Sequence, residues 1–275
     1  MAMSAVNENI EIHCLLEAIY QKYGYDFRNY SRASIKRRLK LKLYQANLPN
    51  FSSLQYKILY DKKLFEALLL DLTVNVTEMF RDPSFYKAMR EEVIPILKTY
   101  PHIKIWHAGC SSGEEVYSMA ILLKEEGLLK RSLIYATDIN EKVLAKAKEG
   151  IFPMERMQEY TQNYQKAGGK KSFADYYTAR YDAVIMKKEL RDKIVWSQHN
   201  LATDSVFTEV HLVVCRNVLI YFDKKLQNRV IELFKDSLIR KGVLALGSKE
   251  TLNYSSHKDD FTELVSKEKI YRKKR

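Results

Sequence analysis

The sequence predicts an α/β protein. Its core is a mixed, doubly wound sheet that carries a small antiparallel β-subdomain, preceded by a small all-helical domain. Three observations predict this. Residues 104–139 read strand, turn, helix, strand, around the small-residue turn Gly109-Cys110-Ser111-Ser112-Gly113. Residues 1–85 contain no convincing strand. Residues 176–195 change to short alternating runs between charged turns. The expected domains are therefore 1–85, a linker helix over 86–100, and 101–275 with 176–195 inserted.

In the helical part, Ile10, Leu15, Leu16, Ile19 and Tyr20 mark a first helix. Ile35, Leu39 and Leu43 mark a second over 34–46, at four-residue spacing. Two more follow over 51–60 and 62–72, punctuated by Gly24 and Pro49. The stretch from Asn75 to Pro83 is too polar for a strand. A helix over 84–97 leads to the second domain, whose first strand begins near Ile103.

The apolar run at Ile103-Lys104-Ile105-Trp106-His107-Ala108 is that strand. Val116, Met119, Ala120 and Leu123 give the next helix one apolar side. Leu133 to Thr137 is a second strand ending at Asp138. A helix over 141–148 stops at Gly150, and residues 151–175 are polar and partly helical. Tyr177, Ala179 and Tyr181 alternate, then come Ala183 to Met186 and Ile194-Val195-Trp196, all read as one antiparallel excursion. His211 to Cys215 is a buried strand. Residues 224–239 form an amphipathic helix with Leu226, Val230, Leu233 and Phe234 inward, capped by Gly242. Strands at Val243 to Leu246 and near Ile270 close the domain.

The chain has 275 residues, 46% of them hydrophobic, enough for one large domain and a smaller one. A formal net charge of +12 favours acidic partners: nucleic acid, an anionic membrane face or an acidic protein. No apolar leader follows Met1, and no run approaches the roughly 18 apolar residues of a membrane span. Cys14, Cys110 and Cys215 are an odd, scattered set that suggests neither disulfides nor a zinc site, which points to a reducing cytoplasm. The histidine spacing predicts no metal.

Open α/β sheets bind ligands at the carboxyl ends of their strands. Gly109 and Gly113 would let a ligand approach the backbone. Asp138, ending the second strand, could accept both hydroxyls of a ribose. A nucleoside-containing cofactor follows. The glycine spacing departs from that of dinucleotide enzymes. Glu114 and Glu115 would repel a phosphate at the helix N-terminus, where an acid pair also suits the helix dipole. The sulfonium and ammonium of S-adenosylmethionine fit this turn. Arg216 and Asn217, at the carboxyl edge of the strand ending in Cys215, suit either chemistry or capping.

Four motifs together resemble the CheR-type chemotaxis receptor methyltransferases, over nearly the whole chain. They are Asn75, Thr77, Phe80, Arg81 and Asp82; Gly109, Gly113, Glu114, Glu115, Tyr117 and Ser118; Asp138-Ile139-Asn140; and Cys215 to Phe222. The resemblance implies a Rossmann-like S-adenosylmethionine-dependent methyltransferase domain. It would convert a protein glutamate to its methyl ester and release S-adenosylhomocysteine. It places Asn75, Thr77, Arg81 and Gly109 around the cofactor and gives Glu115 the methionine ammonium. Asp138 takes the ribose, Asn200 and Leu201 flank the adenine, and Arg216 and Asn217 lie below the methionine. Arg81 and Tyr221 would be catalytic, nearest the transferring methyl. Met79 stands where the family usually has Phe, which alters packing but not activity.

The basic helix face with Arg32, Lys36, Arg37, Arg38 and Lys40 is a solvated surface by itself. In the family the helical domain meets the glutamate-rich cytoplasmic helices of a receptor. The β-subdomain corresponds to one that in some members grips a receptor's C-terminal peptide by strand addition. No membrane insertion is implied, and the oligomeric state is open, a monomer being one option. Two rival readings are a nucleic-acid methyltransferase, favoured by the charge, and a non-catalytic cofactor-sensing module. The first lacks the aromatic-flanked motif common in amino-group methylation of bases.

Overall fold

The computed structural model describes residues 2–73 and 77–274. They form two compact units, residues 2–73 with 220–229, and residues 77–219 with 230–274.

The first unit holds four helices: α1 (Ala2–Tyr23), α2 (Arg32–Gln45), α3 (Phe51–Tyr60) and α4 (Lys62–Leu72). α1 packs on α3 and α2 on α4. Their shared core includes Leu15, Ile19, Phe27, Leu39, Leu54, Ile58 and Leu68. Asn50 and Asp61 cap α3 and α4 by accepting the N–H groups of Ser53 and Leu64. Gly24, at φ +77°, ends α1.

The second unit opens with α5 (Pro83–Ala88) and α6 (Ile94–Lys98), joined by a π-helical turn over Met89–Val93. The wider turn precedes Pro95, which can neither donate to the preceding turn nor pack against its carbonyl. There follow β1 (Ile103–Ala108), α7 (Glu114–Glu125), β2 (Ser132–Asp138), α8 (Glu141–Glu149), β3 (Ile151–Pro153) and α9 (Met157–Lys166). Next are β4 (Tyr177–Arg180), β5 (Ala183–Met186), α10 (Lys188–Arg191), β6 (Ile194–Gln198) and β7 (Val210–Cys215). α11 (Lys224–Ser237), whose residues 224–229 belong to the first unit, β8 (Leu238–Leu246), β9 (Phe261–Val265) and β10 (Ile270–Lys273) complete the chain.

The main sheet has seven strands in the order β6-β2-β1-β7-β8-β10-β9. The first five are parallel and β10 is antiparallel to both its neighbours, so the sheet is mixed as expected. Strand order reverses between β1 and β7, which opens a crevice at their carboxyl ends. β3, β5 and β4 form a separate antiparallel sheet.

Four details differ from expectation. Ile194-Val195-Trp196 does not belong to the excursion; it is the edge strand β6, parallel to β2. β3 and β9 are not predicted by the sequence, because so short a strand carries little periodicity. Gly242 does not cap α11 but lies inside β8, where a Cβ would press within 2.9 Å of the Ile239 carbonyl oxygen. α7 is buried on every side from Val116 to Leu123, because it is enclosed within the unit's core.

Candidate functional site

The turn after β1 is built by hydrogen bonds back to β2. Gly109 N and Cys110 N both donate to the Thr137 carbonyl, at 2.8 and 2.9 Å. Gly109 and Gly113 adopt φ of +77° and +94°, which favours glycine. Their need for no side chain is also a packing matter. A Cβ on Gly109 would fall 2.5 Å from Val218 Cγ2, and one on Gly113 3.0 Å from both Ala147 and Trp196. The expectation that they simply clear a path for a ligand was therefore incomplete.

Asp138 ends β2 with both carboxylate oxygens held by backbone. Oδ2 accepts from Ser111 N at 2.9 Å and Oδ1 from Asn140 N at 3.0 Å. Burial raises its pKa above the usual aspartate range, against these hydrogen bonds, which lower it. His199 N donates to the Asp138 carbonyl at 3.1 Å, which brings Asn200 and Leu201 beside it. Asn200 holds its own turn, its Oδ1 accepting from Ala202 N at 3.0 Å, and Leu201 is buried.

At the crevice, Glu115 and Arg216 meet. Arg216 Nη1 donates to Glu115 Oε2 at 3.0 Å and Nη2 to Asp82 Oδ2 at 2.5 Å. Its guanidinium lies 4.1 Å from the centre of the Phe85 ring. The other Glu115 oxygen pairs with His107 Nδ1 at 3.0 Å. Burial pushes the Glu115 pKa up, but His107 and Arg216 together more than offset it and hold it below the usual range. Burial pulls Arg216 down, and Glu115, Tyr86 and Asp82 more than compensate. Neighbouring Glu114 turns elsewhere, accepting from Ser112 Oγ at 2.7 Å; burial raises its pKa.

Arg81 joins this group through its main chain, its carbonyl accepting from Arg216 Nη1 at 3.4 Å. The loop that carries it is gripped from α9 and the residue before it: Arg156 Nη2 donates to the Thr77 carbonyl at 3.4 Å and Asn163 Nδ2 to that of Met79 at 3.2 Å. Phe80 N donates to Ser118 Oγ at 2.9 Å. Phe80 and Asp82 sit at positive φ, 53° and 55°, which bends the loop sharply. Asn75 lies outside the described residues. Asn217, at φ 61°, follows Arg216.

Tyr221 belongs to the first unit and Arg81 to the second. Within its unit, the Tyr221 ring centre lies 4.9 Å from the Arg38 guanidinium, and its carbonyl accepts from Ser31 N at 2.8 Å. Arg38, expected on a docking face, is instead buried and donates to the Leu72 carbonyl. Lys36 and Lys40 both pair with Glu8, at 2.5 and 2.8 Å. Arg32 and Arg37 are exposed.

Asp82, His107 and Glu250 were not anticipated as contributors. Asp82 stood inside a motif that could have flagged it. His107 looked like a strand residue and Glu250 like a loop acid; only the fold brings them in. Among the described residues no cluster of three or more His, Cys, Asp or Glu could hold a metal, and no helix is long and apolar enough to cross a membrane.

The residues fit S-adenosylmethionine. The linked set of Asp82, Arg216 and Glu115 carries one surplus negative charge for a cationic ligand. Beside Asp138, the buried Ser111 Oγ has no hydrogen-bond partner among the described residues, as does Arg216 Nε beside Glu115.

The family model for the S-adenosylmethionine-binding domain of the CheR methyltransferases matches residues 75–270, and that for their all-α domain matches residues 10–73. A Pseudomonas putida KT2440 protein, "Putative methyltransferase Cher3", is 56% identical over 97% of this chain and 98% of its own. "Chemotaxis protein methyltransferase 2" of Vibrio cholerae is 31% identical over 85% of this chain and 83% of its own. "Chemotaxis protein methyltransferase" of Listeria innocua is 29% identical over 83% and 85%.

Proposed function

We propose that this chain, which belongs to the CheR methyltransferase family, methylates glutamate side chains of a chemoreceptor or related signalling protein in the cytoplasm. The products are the glutamate methyl ester and S-adenosylhomocysteine. The observation that carries the reading is the anionic crevice where Glu115, Arg216 and Asp82 converge at the reversal of strand order, beside the loop bearing Arg81.

Bound S-adenosylmethionine supplies an electrophilic methyl on a cationic sulfur. Glu115 would hold its ammonium, Asp138 its ribose, and Asn200 and Leu201 its adenine, with Thr77, Gly109, Arg216 and Asn217 around it. The same role is proposed for Asn75. A glutamate acceptor is already ionised at pH 7, so no residue need act as a base. Arg81 would hold one acceptor oxygen by a charge-assisted bond and leave the other free to attack. Its work is alignment, since too firm a grip would quench the nucleophile. The role proposed for Tyr221, orienting the acceptor through its hydroxyl, rests on the motif in which it stands. Arg32 and Arg37 supply positive charge for acidic receptor helices.

The test is methyl transfer from labelled donor to acidic receptor fragments, read as base-labile ester. Label on nucleic acid would instead support a nucleic-acid methyltransferase, and no label on any acceptor a cofactor sensor.

A further inference from the structure

We propose that His107 is a positioning residue that sets the orientation of Glu115 and thereby governs only the amino-acid end of the methyl donor. The inference rests on the donor reading above.

His107 lies on β1 with no exposed surface, and its Nδ1 is 3.0 Å from Glu115 Oε1. A carboxylate can only accept, so Nδ1 carries the hydrogen. Nε2 is buried with no hydrogen-bond partner among the described residues. The histidine is therefore a donor to Glu115 through Nδ1.

Arg216 Nη1 holds the opposite oxygen at 3.0 Å and is itself tied to Asp82. Glu115 is thus gripped at both oxygens. Its side chain has three torsions to settle, and one grip would leave the carboxylate plane free to turn. Each oxygen keeps a second acceptor direction. With both grips in place, those directions are aimed before any ammonium arrives, so binding costs no further ordering of the side chain. Nothing in this arrangement reaches Asp138, whose oxygens are held by Ser111 N and Asn140 N.

The discriminating probes are S-adenosylhomocysteine and 5′-methylthioadenosine, which shares the nucleoside and sulfur but lacks the amino-acid end. Calorimetry on the full chain would measure both. His107→Leu fills the space without a donor. It should weaken S-adenosylhomocysteine about tenfold, the worth of a hydrogen bond to a charged group, and leave 5′-methylthioadenosine within about twofold. His107→Asn, whose amide nitrogen overlays Nδ1, should restore wild-type affinity. If the leucine variant fails to fold, His107→Gln takes its place, because its donor overlays Nε2 and misses Oε1; it should behave as the leucine variant does. Equal losses for both ligands, or no loss for S-adenosylhomocysteine, would overturn the role of His107 while the donor reading stands. Wild-type protein that binds neither ligand would overturn the donor reading and this inference with it.

Discussion

Glu250 lies 33 residues beyond Asn217 in the chain, yet its Oε2 accepts the Asn217 N–H at 3.1 Å. The same oxygen accepts from Gly247 N at 2.6 Å, and Oε1 accepts from Val218 N at 2.9 Å. This buried carboxylate pins the left-handed Asn217 and the Val218 that closes over Gly109. A loop after β8 thus braces the turn after β1.

Glu250→Ala should cost ~3 kcal/mol of stability, since it leaves the buried Gly247 N–H and the half-buried Asn217 and Val218 N–H groups unpaired. Glu250→Gln presents an amide N–H₂ to one of those donors and should cost less, while still weakening S-adenosylhomocysteine. Chemical denaturation and calorimetry check both. Unchanged stability in the alanine variant would show that water satisfies these donors.

Arg81→Ala should reduce turnover strongly while donor affinity falls less. The crevice groups that would meet the donor are Glu115 and Asp138, and the Arg81 side chain is assigned to the acceptor. Single-turnover kinetics beside calorimetry separate the two. Equal turnover in variant and wild type would remove Arg81 from the mechanism.

Donor affinity should decline at a higher pH than an ordinary aspartate near 3.9 would dictate. Asp138 accepts ribose hydroxyls best when ionised, and burial has raised its pKa. As pH falls through that raised value, the carboxyl gains a proton and loses acceptor capacity. Asp138→Asn should bind more weakly at neutral pH and show a flatter profile. Identical profiles in the two proteins would exclude Asp138 as the titrating group.

Glu125 joins α7 to α9 and the segment after it. Its Oε1 accepts from the Tyr164 and Tyr176 hydroxyls at 2.5 and 2.8 Å and from Lys170 N at 2.9 Å, and Arg90 pairs with Oε2. Burial raises its pKa, but the phenols, the Lys170 N–H and Arg90 more than offset this, so it stands below the usual carboxylate range. A depressed carboxyl stabilises the fold above its unfolded value, about 4.3, and that stability is lost as pH falls through the folded value. Glu125→Ala should cost about 3 kcal/mol at pH 7, a difference that shrinks on acidification. Thermal unfolding across pH measures it.

Arg37→Ala should slow receptor methylation without loss of stability, and added salt should slow the wild type in the same way. Arg38→Ala should destabilise the helical unit, because that guanidinium is buried against Tyr221 and the Leu72 carbonyl. Methylation rates insensitive to both Arg37 and ionic strength would end the docking proposal.

Much was legible in the chain itself. The bounds of α3 and α4, the strand-turn-helix around Gly109, and the amphipathic α11 follow from local periodicity and capping, which act over a few residues. Asp138 at a strand end and Glu115 in the first turn of a helix were visible for the same reason. Tertiary structure alone decided which long-range partners those groups take. Arg38 and Arg37 are adjacent in a basic run, and no local signal separates the buried one from the exposed one. Ile194-Val195-Trp196 could pair with a hairpin or with β2, and only the assembled sheet shows the parallel pairing with β2. Asp82 and Glu250 reach Arg216 and Asn217 only because the fold brings the loop before α5 and the loop after β8 to the carboxyl end of β7. A hydrogen bond between residues far apart leaves no periodicity in the sequence, and its energy exists only once the fold has excluded water from both partners.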